Sequence, residues 1–244
     1  MPQLEGKTAI ITGGATGIGL GIARSLADAG CLVAITGRRE AALREAAEAA
    51  DCDPPLLYHR VNVAHRGSVN QLFEWASEAL GAIDILVNSA GTNVKTRTMA
   101  EIQPEQWDQV LAINATGAYN CMHAVLPQMR ERGNGLIVNI SSIAGKRAAA
   151  LGGVAYCASK FAMTALGTAV ANEDGPHGIR VTNVYPGEVN TPILENRPVP
   201  VSDEHKAAIL QPEDVGALVL TIACLPPRAH VPEIVIKPTQ QQYL

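Results

Sequence analysis

Two side chains in the stretch AYCASKFAMTALG (155–167) have the types and spacing that proton transfer needs: Tyr156 and Lys160. The stretch is small and apolar and reads as a packed helix, on which residues four apart share a face. A free phenol titrates near ~10 and is poorly matched to neutral pH. An ammonium beside it favours the phenolate and lowers that value. Such a pair could give a proton to, or take one from, an oxygen whose charge develops during a reaction. The bland alternative is a surface Tyr and Lys that only cover apolar neighbours. The rest of the chain has to decide.

A second chemical feature stands near the start. TGGATGIG (12–19) follows the apolar run KTAIIT (7–12) and opens a helical pattern. Glycines at such a turn permit positive φ and close backbone approach, and a helix N-terminus offers free N–H groups to a phosphate. Gly13 and Gly17 are separated by three residues, with Gly19 next, so the spacing is not G-x-G-x-x-G. After the second apolar run stand Gly37, Arg38 and Arg39. An acid at that point would hold a ribose hydroxyl, whereas an Arg accommodates a 2′-phosphate. NADP(H) is therefore favoured over NAD(H). The competing reading makes Arg38 and Arg39 solvated residues at a helix start, with Glu40 beside them.

The elements that must hold these groups alternate. Strand candidates lie at 7–12, 32–36, 56–61, 83–89, 135–141, 178–185 and 232–237. Helical patterns fill 18–30, closed by Gly30, then 39–50, 68–80, a long stretch from Pro104 to Arg132, the helix around Tyr156, and 212–225, begun by Pro212. Continuous apolar strands between helices indicate a mostly parallel sheet covered on both faces. The expected fold is α/β: a doubly wound, Rossmann-like, seven-stranded sheet. The whole chain, 1–244, reads as one nucleotide-binding domain that also carries the active site. The segment 187–206, with Pro192, Pro198 and Pro200, follows the sixth strand, where the ligand crevice of such a fold lies. It reads as a substrate-covering loop or as an ordinary surface loop.

Composition narrows the function classes. The chain has 244 residues and a formal net charge of −4, with Lys and Arg scattered except for KTR (95–97) and GKR (145–147). No basic face suggests nucleic acid or an anionic membrane as a partner. The five cysteines include no C-x-x-C and the histidines no H-E-x-x-H, so neither a disulfide framework nor a metal site is indicated. Reduced thiols, no leader pattern and no apolar run of ~18 residues lead to the expectation of a cytoplasmic protein without a membrane span.

Together, TGGATGIG, NSAG (88–91), Asn114 in a long helix, ISS (140–142), YCASK (156–160) and PGEVNTP (186–192) resemble the short-chain dehydrogenase/reductase superfamily, in its single-domain branch. The likeness runs through nearly the whole chain in the expected order. It implies a catalytic set of Asn114, Ser142, Tyr156 and Lys160. Tyr156 would be the acid/base, and Ser142 would orient the substrate oxygen. Lys160 would also hold the nicotinamide ribose, and Asn114 would hold a proton-relay water. The likeness further implies cofactor contacts from Gly13, Thr16, Gly17, Ile18 and Gly19 of the turn, from Arg38 and Arg39, and from Asn62 and Val63 beside the adenine. Asn88, Ala90 and Gly91 would lie along the adenosine, and Pro186, Gly187, Val189 and Thr191 at the nicotinamide end. Two positions depart from the family pattern. Ser89 replaces the second Asn of N-N-A-G, and Asn62 stands where Asp is frequent, with an amide oxygen still able to accept a hydrogen bond.

The implied activity is reversible reduction of a carbonyl to an alcohol with NADP, NAD being possible. Neighbouring residues carry paired readings. Cys157 points away from Tyr156 and reads as a buried thiol, and Ser141 faces the core. Ser159 helps place the cofactor or merely packs. Glu188, Lys146 and Arg147 either meet a charged substrate or are solvated. The stretch 210–239 is similar to broad-specificity members that act on small 3-hydroxy acids and aldehydes. It is also similar to 3-oxoacyl carrier-protein reductases, which rank second because Asn172, followed by Glu173 and Asp174, stands where those carry a basic docking residue. A non-catalytic NADP-binding regulator is the third reading. The resemblance also implies a homotetramer, with a dimer second, through the helices of 104–132 and 154–174.

Overall fold

A computed structural model of the chain describes residues 3–242. Seven strands form one sheet in the order β3-β2-β1-β4-β5-β6-β7, and every neighbouring pair is parallel. They are β1 (Thr8–Thr12), β2 (Leu32–Gly37), β3 (Leu57–Arg60), β4 (Ile85–Asn88), β5 (Gly135–Ile140), β6 (Ile179–Pro186) and β7 (Glu233–Ile236). The chain reverses direction across the sheet between β1 and β4, the switch point that opens a crevice at the carboxyl ends of the strands.

Along the central strands side chains alternate between two buried cores, while the edge strand β7 leaves Glu233 and Val235 exposed. Ala9, Ile11, Val33, Ile35, Ile85, Val87, Leu136 and Val138 face one, together with α1 (Gly17–Asp28), α2 (Glu40–Glu48) and α8 (Pro212–Ala223). Ile10, Ala34, Leu86, Ile137 and Val181 face the other, with α3 (Arg66–Ala79), α5 (Gly117–Arg132) and α6 (Val154–Asp174). This is why the strands read as continuous apolar runs: both faces are covered.

Four details differ from the sequence expectation. β3 and β4 are shorter than 56–61 and 83–89. At β4 the cause is local: the Ser89 and Ala90 amides leave the ladder and donate to Thr12 Oγ1, each at 3.1 Å. α3 starts at Arg66, earlier than 68. The stretch 104–132 is α4 (Pro104–Leu111), a π turn (Ala112–Thr116) and α5, in which the Gly117 amide bonds back to the Ala112 carbonyl. Proline opens α4 and α8 as expected, each with a capping box, on Gln103 and Gln211. The irregular segment after β6 holds a 3₁₀ turn (Pro192–Asn196) and runs into α7 (Asp203–Ala208).

By length and composition, Val154–His177 is long and apolar enough to cross a membrane, which the sequence expectation of no such run did not include. One face of α6 packs on β6 and buries Met163, while Phe161 on the helix is exposed.

Candidate active site

The crevice above the strand ends is a cleft of about 500 Å³. One end is the glycine turn. Gly13 and Gly17 have φ of 66° and 55°, a region side-chain-bearing residues avoid. A Cβ at Gly13 would lie 2.8 Å from the Ala90 Cα, so the turn is pressed against the NSAG loop. Thr12 joins the two loops through the Ser89 and Ala90 amides. Thr16 precedes α1 in extended conformation, makes no side-chain cap, and no acid occupies the first turn. The α1 N-terminus thus presents uncapped N–H groups and a partial positive charge to the cleft. A cradle that a Cβ would fill, beside an uncapped helix start, fits the diphosphate of a dinucleotide.

Thr16, Ile18, Gly19, Arg38, Arg39, Asn62, Val63, Ala90 and Gly91 all line the cleft. Arg38 and Arg39 are exposed at the end of β2, with Arg39 the residue before α2. Asn62 Oδ1 accepts the Ala64 amide at 3.2 Å, so part of its acceptor capacity holds the local turn. Asn88 is placed differently from the expectation. Its side chain is buried and donates to Asn139 Oδ1 at 2.9 Å, and Asn139 in turn donates to Asn183 Oδ1 at 3.1 Å. These three asparagines are in register across β4, β5 and β6. Asn88 braces the strands beneath the cleft instead of lining it.

The middle of the cleft brings Ser142, Tyr156 and Lys160 together. Ser142 opens a 3₁₀ turn (Ile143–Gly145) and its Oγ accepts the Ala144 amide at 3.1 Å. A Cβ at Gly145 would fall 2.5 Å from Ser141 Oγ and 2.7 Å from the Lys160 carbonyl oxygen, so glycine lets this turn lie directly on α6. Ser141 is buried and bonded to the Lys160 carbonyl and Thr164, yet it also lines the floor of the cleft beside Ser142. Burial pushes the Tyr156 phenol above its ordinary value; Ser142 and the charge of Arg97 offset only part of that rise, and Cys157 adds to it. The expected dominance of Lys160 over that phenol is not what this structure contains. The Lys160 ammonium lies 5.6 Å from the ring centroid and donates to the Ile140 carbonyl at 2.7 Å. Burial lowers its own pKa from 10.5 to about 8.

Asn114 is also redirected. It is fully buried, and its amide accepts the Thr92 N–H at 2.8 Å and donates to the Thr92 carbonyl at 3.0 Å and to Ser159 Oγ at 2.9 Å. The side chain therefore positions Thr92, which lines the cleft, and joins α5's approach to α6. Ser159, bonded to the Tyr156 carbonyl at 2.8 Å, sits in this buried network and does not line the cleft. Cys157 is buried, its Sγ 3.6 Å from the Ala149 carbonyl.

The far end is closed by the segment after β6. Pro186, Gly187, Glu188, Val189, Thr191 and Leu194 all line the cleft. Glu188 is not solvated: it pairs with Arg197 at 3.2 Å and lies 2.6 Å from the His205 ring. Lys146 is turned away from the cleft, paired with Glu233 and lying over the Tyr185 ring. Arg147 does line it. Among the lining residues that the sequence reading does not assign to the site are Arg97, Arg197 and Gln241, whose Oε1 accepts the Glu188 amide at 3.0 Å. KTR at 95–97 was visible as a basic cluster, and its position just after NSAG was the available signal.

A dinucleotide cradle with a Tyr, Ser and Lys beside it is the arrangement of a nucleotide-dependent oxidoreductase. The sequence profile of the short chain dehydrogenase family matches residues 7–200. An uncharacterised oxidoreductase of Staphylococcus saprophyticus is 33% identical over 98% of this chain and all of its own length. Among solved structures, an alcohol dehydrogenase from the archaeon Thermococcus sibiricus, complexed with 5-hydroxy-NADP, superposes with a TM-score of 0.87 at 26% identity, covering 97% of this chain and 98% of its own. A 3-ketoacyl-(acyl-carrier-protein) reductase from Brucella melitensis, complexed with NADH, gives 0.87 at 27% identity over 97% and 99%. The chain belongs to the short-chain dehydrogenase family.

Proposed function

We propose that this protein is an NADP(H)-dependent oxidoreductase that interconverts a carbonyl and an alcohol, with Tyr156 as the acid/base. The observation that carries the reading is the convergence of Tyr156, Ser142 and Lys160 on the cleft that also holds the glycine cradle. A bound nicotinamide nucleotide supplies a hydride to the carbonyl carbon or accepts one from the alcohol. In the reducing direction Tyr156 donates its phenolic proton to the substrate oxygen as charge develops there, and in the oxidising direction it takes that proton back. Ser142, which lines the same cleft beside Tyr156, is placed to orient the same oxygen. Lys160 faces the same cleft and is suited to hold a ribose hydroxyl. Asn114 acts behind these groups as a positioning residue.

The preference for NADP(H) rests on Arg38 and Arg39, with no acid at the end of β2. The Thermococcus neighbour with an NADP derivative supports it, and the Brucella neighbour with NADH keeps NAD in view. The test is a fluorescence titration with NADPH and NADH at equal salt. Tighter NADPH binding, weakened selectively by Arg38→Asp, is expected; equal or tighter NADH binding would remove the phosphate clamp. In turnover against a carbonyl panel, Tyr156→Phe should cost about 10²–10⁴-fold in kcat.

The second reading, a 3-oxoacyl carrier-protein reductase, is favoured by the Brucella likeness. It predicts steep salt dependence with the acyl carrier and little activity on free ketones. Exposed Tyr119 on α5 and Phe161 on α6 support assembly through those helices, so a homotetramer, with a dimer second, is part of the proposal. Light scattering that gave a monomer at micromolar concentration would remove it. A cytoplasmic location completes the reading and fits the free thiols.

A further inference from the structure

Arg97 is a charged group in the catalytic cleft to which the reaction described above gives no task. It lines the cleft and is nine-tenths buried, at 9% exposure. Its Nε donates to the Val94 carbonyl at 3.0 Å, its Nη2 to the Asn196 carbonyl at 2.8 Å and its Nη1 to the Leu151 carbonyl. Its own carbonyl accepts the amide of Val154, the first residue of α6, at 3.1 Å. Tyr156 follows in the same helical turn, and the two side chains influence one another electrostatically.

Every partner of the guanidinium is neutral. Among the described residues no carboxylate lies within ion-pair distance of it. Glu188, the carboxylate in the cleft lining, is held by Arg197 and His205. A buried cation without a counter-charge is costly and persists where something completes it. Three of five N–H donors are used, so two remain. A guanidinium with two donors left, facing a cleft, is shaped for a two-oxygen anion. A carboxylate presents two oxygens in that geometry.

We infer that Arg97 binds the carboxylate of the substrate and makes the enzyme selective for oxo acids and hydroxy acids over their neutral counterparts. This rests on the oxidoreductase reading and extends it from a reaction to a substrate class. Arg97 would fix the acid end while Ser142 and Tyr156 hold the reacting oxygen. Lys146, singled out in the sequence for an anionic substrate, is occupied by Glu233, and Arg197 by Glu188; Arg147, also in the lining, is exposed, whereas Arg97 is the buried arginine of the cleft.

The experiment compares matched pairs of 2-oxo and 3-oxo acids and their primary amides as substrates of the NADPH-loaded protein. Calorimetric titrations with propionate and propionamide follow binding without turnover. The wild type should prefer the better acid over its amide by about 10–100-fold in kcat/KM, the range of a charge-assisted pair. Arg97→Met should bring the ratio near one, Arg97→Lys should restore part of it, and propionate should bind more tightly than propionamide only when residue 97 is a cation. Equal use of acid and amide by the wild type would overturn the inference. So would a ratio left intact in Arg97→Met while both rates fall, the signature of a strap between loops. If no pair is turned over but propionate binding still depends on residue 97, the anion site stands and the oxo-acid assignment is overturned; turnover of neutral carbonyls tests the oxidoreductase reading separately.

Discussion

At the residue scale, Tyr156 and Lys160 share a helix face, as their spacing requires, yet the phenol is tuned from elsewhere. Burial raises it, and Ser142 and Arg97 lower it. Neither influence is visible from an i, i+4 pair, because Ser142 arrives from β5 and Arg97 from the loop after β4. Lys160 carries a signed prediction of its own. Its folded pKa of about 8 lies below the ordinary 10.5, so between those values the unfolded chain binds more protons. Stability attributable to this group should therefore rise with pH across that window and be lowest below about pH 8. Lys160→Met should be more stable than the wild type at pH 7 by about 2 kcal/mol, after loss of the bond to Ile140, with the gap closing toward pH 10.5. Thermal melts of both proteins across that range check it, and a gap that widened with pH would contradict it.

At the element scale, the site depends on surfaces that touch without spacers. The 3₁₀ turn carrying Ser142 lies on α6 because Gly145 has no side chain. Gly145→Ala should cost about 1–3 kcal/mol by overpacking and should lower turnover beyond that loss, since Ser142 and Lys160 are displaced relative to one another. Circular dichroism melts and rates at a temperature where both proteins are folded separate the two effects. The π turn at Ala112–Thr116 is the other device. It interrupts what reads as one uniform helical stretch, and it coincides with Asn114, whose amide grips Thr92 and Ser159. Asn114→Ala should leave NADPH affinity nearly unchanged and lower kcat about 10-fold, in the range of a displaced positioning group. Nothing in the pattern PEQWDQVLAINATGAYN marks a π turn, because apolar spacing does not register one added residue.

At the scale of the whole molecule, charge is segregated. The chain carries −4, yet among the described residues six cations face the cleft (Arg38, Arg39, Arg97, Arg147, Lys160 and Arg197) against one carboxylate, Glu188. Low-dielectric walls focus such a field, so anionic ligands should be drawn in despite the net negative charge. Affinity for NADPH should fall steeply as ionic strength rises from about 0.02 to 0.5 M, and Arg38→Gln should flatten the dependence. A salt-independent affinity measured by fluorescence would count against the focused cleft. Along the sequence these residues lie far apart, and basic clustering showed only in KTR and GKR; one of those lysines, Lys146, proved to face Glu233.

The sequence by itself determined the parallel sheet, its covering helices, the glycine turn and the Tyr156–Lys160 pair on one helix face, whereas Ser142 entered only through the family resemblance. Those features are written in local patterns: continuous apolar strands, glycines between a strand and a helix, and residues a helical turn apart. Only the tertiary structure decided which cations face the cleft. It also decided that Asn88 belongs to a strand-to-strand amide ladder, that Asn114 braces Thr92, and that Glu188 is held by Arg197 and His205. The physical reason is the same in each case. A polar side chain's partner is set by which loops meet at the strand ends, and that meeting is a property of the packed sheet.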